Sequence, residues 1–101
     1  MAGATVTRAA VRPGDDELEA ALGGDSTSPR WWSNAAGDRY GWHAHDYRKV
    51  LYCAEGSIVF HLRDGDIELG PGDRLEVDPG TDHAATVGPH GVKCVEAAAA
   101  S

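Results

Sequence analysis

The chain has 101 residues and a formal net charge of −7, enough for a single domain with one core. Its Lys and Arg residues form no run, which argues against nucleic acid or an anionic membrane as a partner. No apolar stretch approaches a membrane span and the segment from Met1 to Arg8 lacks the apolar core of a secretory signal, so a cytoplasmic protein is expected.

Residues 1–28 read as an N-terminal arm and short helix. Val6 and Val11 are the arm's only strong hydrophobic residues. The helix is expected from Asp15 to Leu22: Asp15, Asp16 and Glu17 place negative charge at its N-terminus, and Gly23-Gly24 stop it. Leu18, Ala21 and Leu22 give it one apolar face, and a helix this short must pack on something. A polar linker is expected over Asp25 to Pro29.

From Arg30 onward the pattern is that of short strands. Trp31-Trp32 and Arg39 to His45 flank the Gly37-Asp38 turn. Lys49 to Ala54 is apolar on both faces, as for a strand between two packed sheets. Glu55-Gly56 reads as a turn into Ser57 to Leu62, and Asp64-Gly65 as a type I′ hairpin into Asp66 to Leu69. Gly70-Pro71-Gly72-Asp73 and Asp78-Pro79-Gly80-Thr81 are turns on either side of Arg74 to Val77. His83 to Val87, a Gly88-Pro89-His90-Gly91 turn and Val92 to Glu96 follow, and the Ala-rich tail is expected to fray. Thirteen glycines and five prolines at such short intervals suit an all-β sandwich or barrel. Cys53 and Cys94 form no CxxC and are read as buried thiols, with a disulfide between them left open.

Three histidines stand out chemically. His43 and His45 are spaced i, i+2 on an extended segment, which points both rings to one side. His83 follows a Gly-Thr-Asp turn and can close a facial set of imidazole ligands for a divalent metal. His61 and His90 are read instead as ordinary polar residues of a hairpin strand and a loop. By strand parity Trp42 and Tyr40 face away from His43, whereas Leu51 and Cys53 share the inward parity of Lys49. Cys53 is a secondary candidate for a soft ligand, with a small buried hydrophobe the favoured reading.

These residues resemble the two motifs of the cupin superfamily. The first, G-x5-H-x-H-x3-4-E-x6-G, is matched by Gly37, His43, His45, Lys49 and Gly56 at every spacing. The second, G-x5-P-x-G-x2-H-x3-N, is matched by Gly72, Gly80 and His83, with Asp78 in the proline position and Val87 in the asparagine position. The resemblance covers about residues 30 to 97. It implies a double-stranded β-helix, the jelly-roll barrel, over residues 29–101, with His43, His45 and His83 at its mouth. It also implies one divalent metal (zinc, iron, nickel, manganese or copper) and a homodimer formed through edge strands or an exchanged N-terminal segment.

Lys49 is the departure, because the family carries a metal-binding Glu there. An ammonium beside a metal ion is unfavourable, which leaves three resolutions. Lys49 turns its flexible stem towards a carboxylate or solvent, it loses its proton, or no metal is present and the cluster binds an anion. Asp46 and Asp82 adjoin ligand candidates but face the other way, and are read as supporting or turn residues. The resulting expectation is a metal-dependent cupin acting as a dioxygenase, isomerase or lyase on a small polar or anionic substrate, with Lys49 as its catalytic candidate. Lys49 or Arg39 would then pair with a substrate carboxylate. The alternative is a non-catalytic ligand-binding or sensor cupin without metal.

Overall fold

A computed structural model describes residues 3–23 and 29–99. In chain order the elements are β1 (Ala4–Thr7), α1 (Asp15–Gly23), β2 (Arg30–Asn34), β3 (Arg39–His43), β4 (Arg48–Leu62), β5 (Gly65–Leu69), β6 (Arg74–Val77) and β7 (His83–Ala99). All the strand pairings are antiparallel, and the strands form one curled sheet with the order β1-β6-β4-β7-β2, β3 joining at β7 and β5 at β4. This is the expected jelly-roll barrel with one short helix. The expected linker over 25–28 lies outside the described residues.

The ladder between β4 and β7 runs from Arg48↔Ala99 to Leu62↔His83 and forms the spine of the barrel. A turn was expected at Glu55-Gly56, but β4 continues straight through it. Between Gly56↔Val92 and Ile58↔Val87, β4 advances two residues while β7 advances five, so the Gly88–Gly91 segment swells outward instead of ending a strand. Gly56 (φ 73°) and Gly91 (φ 79°) make the bend possible: a Cβ at Gly56 would overlap the Gly91 carbonyl. The inner half of β4 therefore pairs with β6 and the far half of β7, and the outer half with β5 and the near half of β7.

The two apolar faces of β4 have different partners. Leu51, Cys53, Ile58 and Phe60 point into the barrel with Leu69, Leu75, Val77, Val87 and Cys94. Val50 and Ala54 point outward and, with Val95 and Ala97, receive Leu18 and Leu22 of α1. The second face thus meets the helix and not a second sheet, which explains why so short a helix is stable. The same contact corrects the tail: Ala97 to Ala99 pair with Val50 to Arg48, and the small Ala97 side chain lies buried beneath the helix.

The hairpin after β4 turns on Arg63-Asp64, one residue earlier than expected: Leu62 pairs with Gly65, and among the described residues only glycines have positive φ. A type I′ turn needs positive φ at both central positions, so this turn is of another type. The 70–73 and 78–81 turns close as expected, through Asp73 N–H to Gly70 O (3.0 Å) and Thr81 N–H to Asp78 O (3.2 Å).

Asp73 ties the arm to the barrel. Its carboxylate accepts hydrogen bonds from Arg8 (2.8 Å), Gly70 N–H (2.9 Å) and Ala9 N–H (3.3 Å). Burial alone would raise its pKa, but the Gly70, Arg8 and Ala9 hydrogen bonds together hold it below the ordinary carboxylate value.

Two outcomes follow for stability. Gly56→Ala should destabilise the protein by about 2–4 kcal/mol in urea denaturation, through the carbonyl overlap and the left-handed φ. Asp73→Asn should cost about 1–2 kcal/mol at neutral pH. Because the folded-state pKa of Asp73 lies below its unfolded value, that contribution is present above about pH 4 and is lost as the pH falls through it. The gap between wild type and D73N, measured as a urea midpoint against pH, should accordingly narrow in acid.

Candidate metal centre

His43 and His83 are direct cross-strand partners on β3 and β7. β3 ends at His43, and His45 stands just beyond it in the connection to β4, where its carbonyl accepts a hydrogen bond from Gly80 N–H (2.8 Å). That bond joins the turn before His83 to the segment carrying the other two rings. The ring centroids lie 4.3 Å apart for His43–His83, 4.9 Å for His43–His45 and 5.2 Å for His45–His83. One ring nitrogen from each residue can be chosen so that all three lie within 4.8 Å of one another, so the trio could hold a metal ion.

Hydrogen bonding orients two of the rings for that task. His43 Nδ1 lies 2.7 Å from Gly41 O and His83 Nδ1 2.8 Å from Thr81 O. A carbonyl can only accept, so both Nδ1 atoms carry the proton and both Nε2 atoms keep a lone pair. His45 Nε2 and His83 Nε2 are buried with no hydrogen-bond partner. His83 is only 1% exposed, and an unpaired polar atom so deep is unfavourable unless something binds it. Burial, followed by Lys49 and the other two imidazoles, lowers the pKa of His45. For His83 burial is again the largest cause; the Thr81 carbonyl partly offsets it, and His43 and Lys49 add to it. Both rings are thereby biased towards the neutral, ligating form.

The sequence profile of the cupin domain matches residues 30–96. The chain belongs to the cupin family. Solved structures of the same fold include a cupin-2 domain-containing protein from Shewanella frigidimarina, 20% identical, with a TM-score of 0.63 over 71% of this chain and 69% of that one. A DUF861 family protein from Thermotoga maritima is 14% identical, with a TM-score of 0.66 over 95% of this chain and 99% of that one. A cupin superfamily protein from Desulfitobacterium hafniense is 18% identical, with a TM-score of 0.66 over 98% and 79%. At these identities the likeness is one of fold. No curated protein matches the chain. Among the described residues no helix is long and apolar enough to cross a membrane.

The three histidines of this cupin open onto a cavity of about 240 Å³ lined also by Arg30, Trp32, Tyr40, Tyr47, Lys49, Ile58, Phe60, Ala85 and Glu96. Lys49 pairs with a carboxylate: its Nζ lies 3.3 Å from Glu96 Oε1. The same carboxylate accepts Trp32 Nε1–H (2.7 Å) and faces Arg30 (3.5 Å). Glu96 follows Val92 and Cys94 on the inward parity of β7, a signal present in the sequence but not weighed there.

Tyr40 corrects the parity argument. Tyr40 pairs with Ala85 and His43 with His83, so β3 spends three residues against two on β7. The extra residue around Gly41-Trp42 inverts the alternation and brings Tyr40 onto the cavity side with His43. Its hydroxyl bonds to Asn34, and its ring meets Trp32 edge-on at 6.1 Å. Trp32 is likewise a cavity residue and not only a core one. Trp42 lies outside, under the Arg63 guanidinium at 3.9 Å.

The remaining candidates fall away from the cavity. Asp46 and Asp82 are not part of the histidine group, and Asp82 faces Arg63 at 3.6 Å. Arg39 does not line the cavity; Arg30 takes that place. Cys53 and Cys94 are buried free thiols at directly opposed positions, outside the cavity lining. His61 is satisfied on both ring nitrogens by Asp66 and Thr86, each at 2.9 Å, and His90 is exposed.

The lowered histidine pKa values have a testable sign. The unfolded chain takes up protons near the ordinary histidine value of about 6.5, while His45 and His83 in the fold resist them. The metal-free protein should therefore lose stability as the pH falls below about 6.5, and the ring C–H resonances of both residues should titrate below that value by NMR.

Proposed function

We propose that this cupin binds one divalent metal ion through the Nε2 atoms of His43, His45 and His83 and acts with it on a small polar or anionic molecule held in the adjoining cavity. The observation that carries this reading is the pair of buried, unpartnered Nε2 atoms on His45 and His83, set beside a His43 whose Nδ1 is tied to Gly41 O. Three imidazole ligands suit zinc, iron, nickel or manganese. A bound ion would supply Lewis-acid or, if redox-active, dioxygen chemistry, which accords with an isomerase, lyase or dioxygenase.

The chain's own residues have separable parts in this reading. Thr81 O and Gly41 O fix the ring orientations, and Ile58, Phe60 and Ala85 keep one wall of the cavity apolar. Lys49 takes the role of a substrate-facing cation, its ammonium paired with Glu96 at 3.3 Å. Glu96 thereby offsets part of the positive charge in the site without a carboxylate at position 49.

Elemental analysis of protein purified without an affinity tag should find one metal per chain. His83→Ala should lower metal affinity by more than the roughly 10–100-fold typical of losing a supporting residue. Lys49→Glu should raise it, because the substitution replaces a repelling charge with an oxygen donor. Complete absence of bound metal, in protein that also refuses added zinc, iron, nickel and manganese, would leave the alternative of a metal-free binding module.

A further inference from the structure

The cluster around Glu96 has more cation than anion. Glu96 is 13% exposed at its side chain, and its two oxygens serve Lys49, Arg30 and the Trp32 indole together. Lys49, at 12% exposed, has no other polar contact among the described residues. An ammonium carries three N–H donors, so a nearly buried one with a single shared acceptor keeps donors to spare. Arg30 lines the same cavity and is mostly exposed, its guanidinium reaching Glu96 through one nitrogen at 3.5 Å. Two positive groups thus face one carboxylate. The surplus charge faces a cavity that Ile58, Phe60 and Ala85 also line.

We propose that Lys49 and Arg30 form a subsite for the carboxylate of a small organic acid, and that Glu96 is the positioning residue that holds the two cations together and sets the net charge at one. The proposal rests on the reading above only in taking the histidine-lined cavity as the ligand site. A monocarboxylate with a compact apolar body fits this lining better than phosphate. The charge beside Glu96 suits one negative charge and not two, the recognition groups are side chains without a glycine-rich loop of backbone N–H donors, and Ile58, Phe60 and Ala85 offer an apolar bed. A cavity of about 240 Å³ falls below the range typical of drug-sized ligands and suits a small acid.

Benzoate, its neutral isostere benzamide and inorganic phosphate, titrated by calorimetry into zinc-loaded and metal-free protein, test this. Benzoate should bind at least tenfold more tightly than benzamide, and more tightly than phosphate, and the benzoate preference should survive in the metal-free form. Lys49→Met should remove the preference by weakening benzoate at least tenfold with benzamide unchanged, while Lys49→Arg should restore it. Glu96→Gln, which keeps an acceptor for the Trp32 indole, should tighten benzoate threefold or more by leaving the cations less neutralised. If K49M does not fold, the sign of the E96Q effect decides. Equal binding of benzoate and benzamide, stronger binding of phosphate, or a preference that K49M and E96Q leave untouched would overturn the proposal. Protein that takes up no metal yet prefers benzoate would sink the metal reading and leave this one standing.

Discussion

The bend in the β4–β7 ladder is the constraint on which the rest of the molecule depends. One pair of strands contributes to both halves of the barrel because β7 swells by three residues where β4 passes Gly56. At that point the chains approach so closely that only a residue without a side chain fits, and both Gly56 and Gly91 adopt the left-handed backbone. Before the bend β7 delivers His83 opposite His43; beyond it, the same strand delivers Glu96 next to Lys49. His83 of the metal candidates and Lys49 and Glu96 of the charged cluster thus come from the two ends of one strand pair, with β3 and β2 supplying His43, Arg30 and Trp32.

Electrostatics then organises the cavity in two zones. On one side, burial lowers the pKa of His45 and His83 and leaves their Nε2 atoms without partners. On the other, a single carboxylate gathers an ammonium, a guanidinium and an indole. The negative charge of Glu96, 3.3 Å from the Lys49 ammonium, offsets a positive residue beside a trio that could hold a cation. A buried ion pair of this kind is not strong evidence for stability, since desolvation offsets most of its attraction. Its effect is on where the charge sits.

Much of this was legible from residue patterns and some was not. The positions of His43, His45 and His83, the turns at 70–73 and 78–81 and the acidic start of α1 are local signals, each set by a few neighbouring residues. The strand boundaries at 55–56 and 88–91 were not legible, because a glycine that breaks a strand and a glycine that lets one bend look alike in one dimension. Tyr40 was misplaced for a related reason: alternation holds only while both strands advance together, and one extra residue near Gly41 reverses it. Glu96 carried an inward parity, yet nothing near it in sequence announced Lys49, Arg30 or Trp32 as partners.

The sequence by itself determined the fold family, the three imidazoles and the presence of a lysine where an acid is usual, since these depend on residue identity and spacing. The tertiary structure decided where that lysine points, which aromatic rings line the cavity and which face of β4 meets the helix. Those outcomes depend on register and on contacts between residues tens of positions apart, where a one-residue shift exchanges the inner and outer faces of a strand.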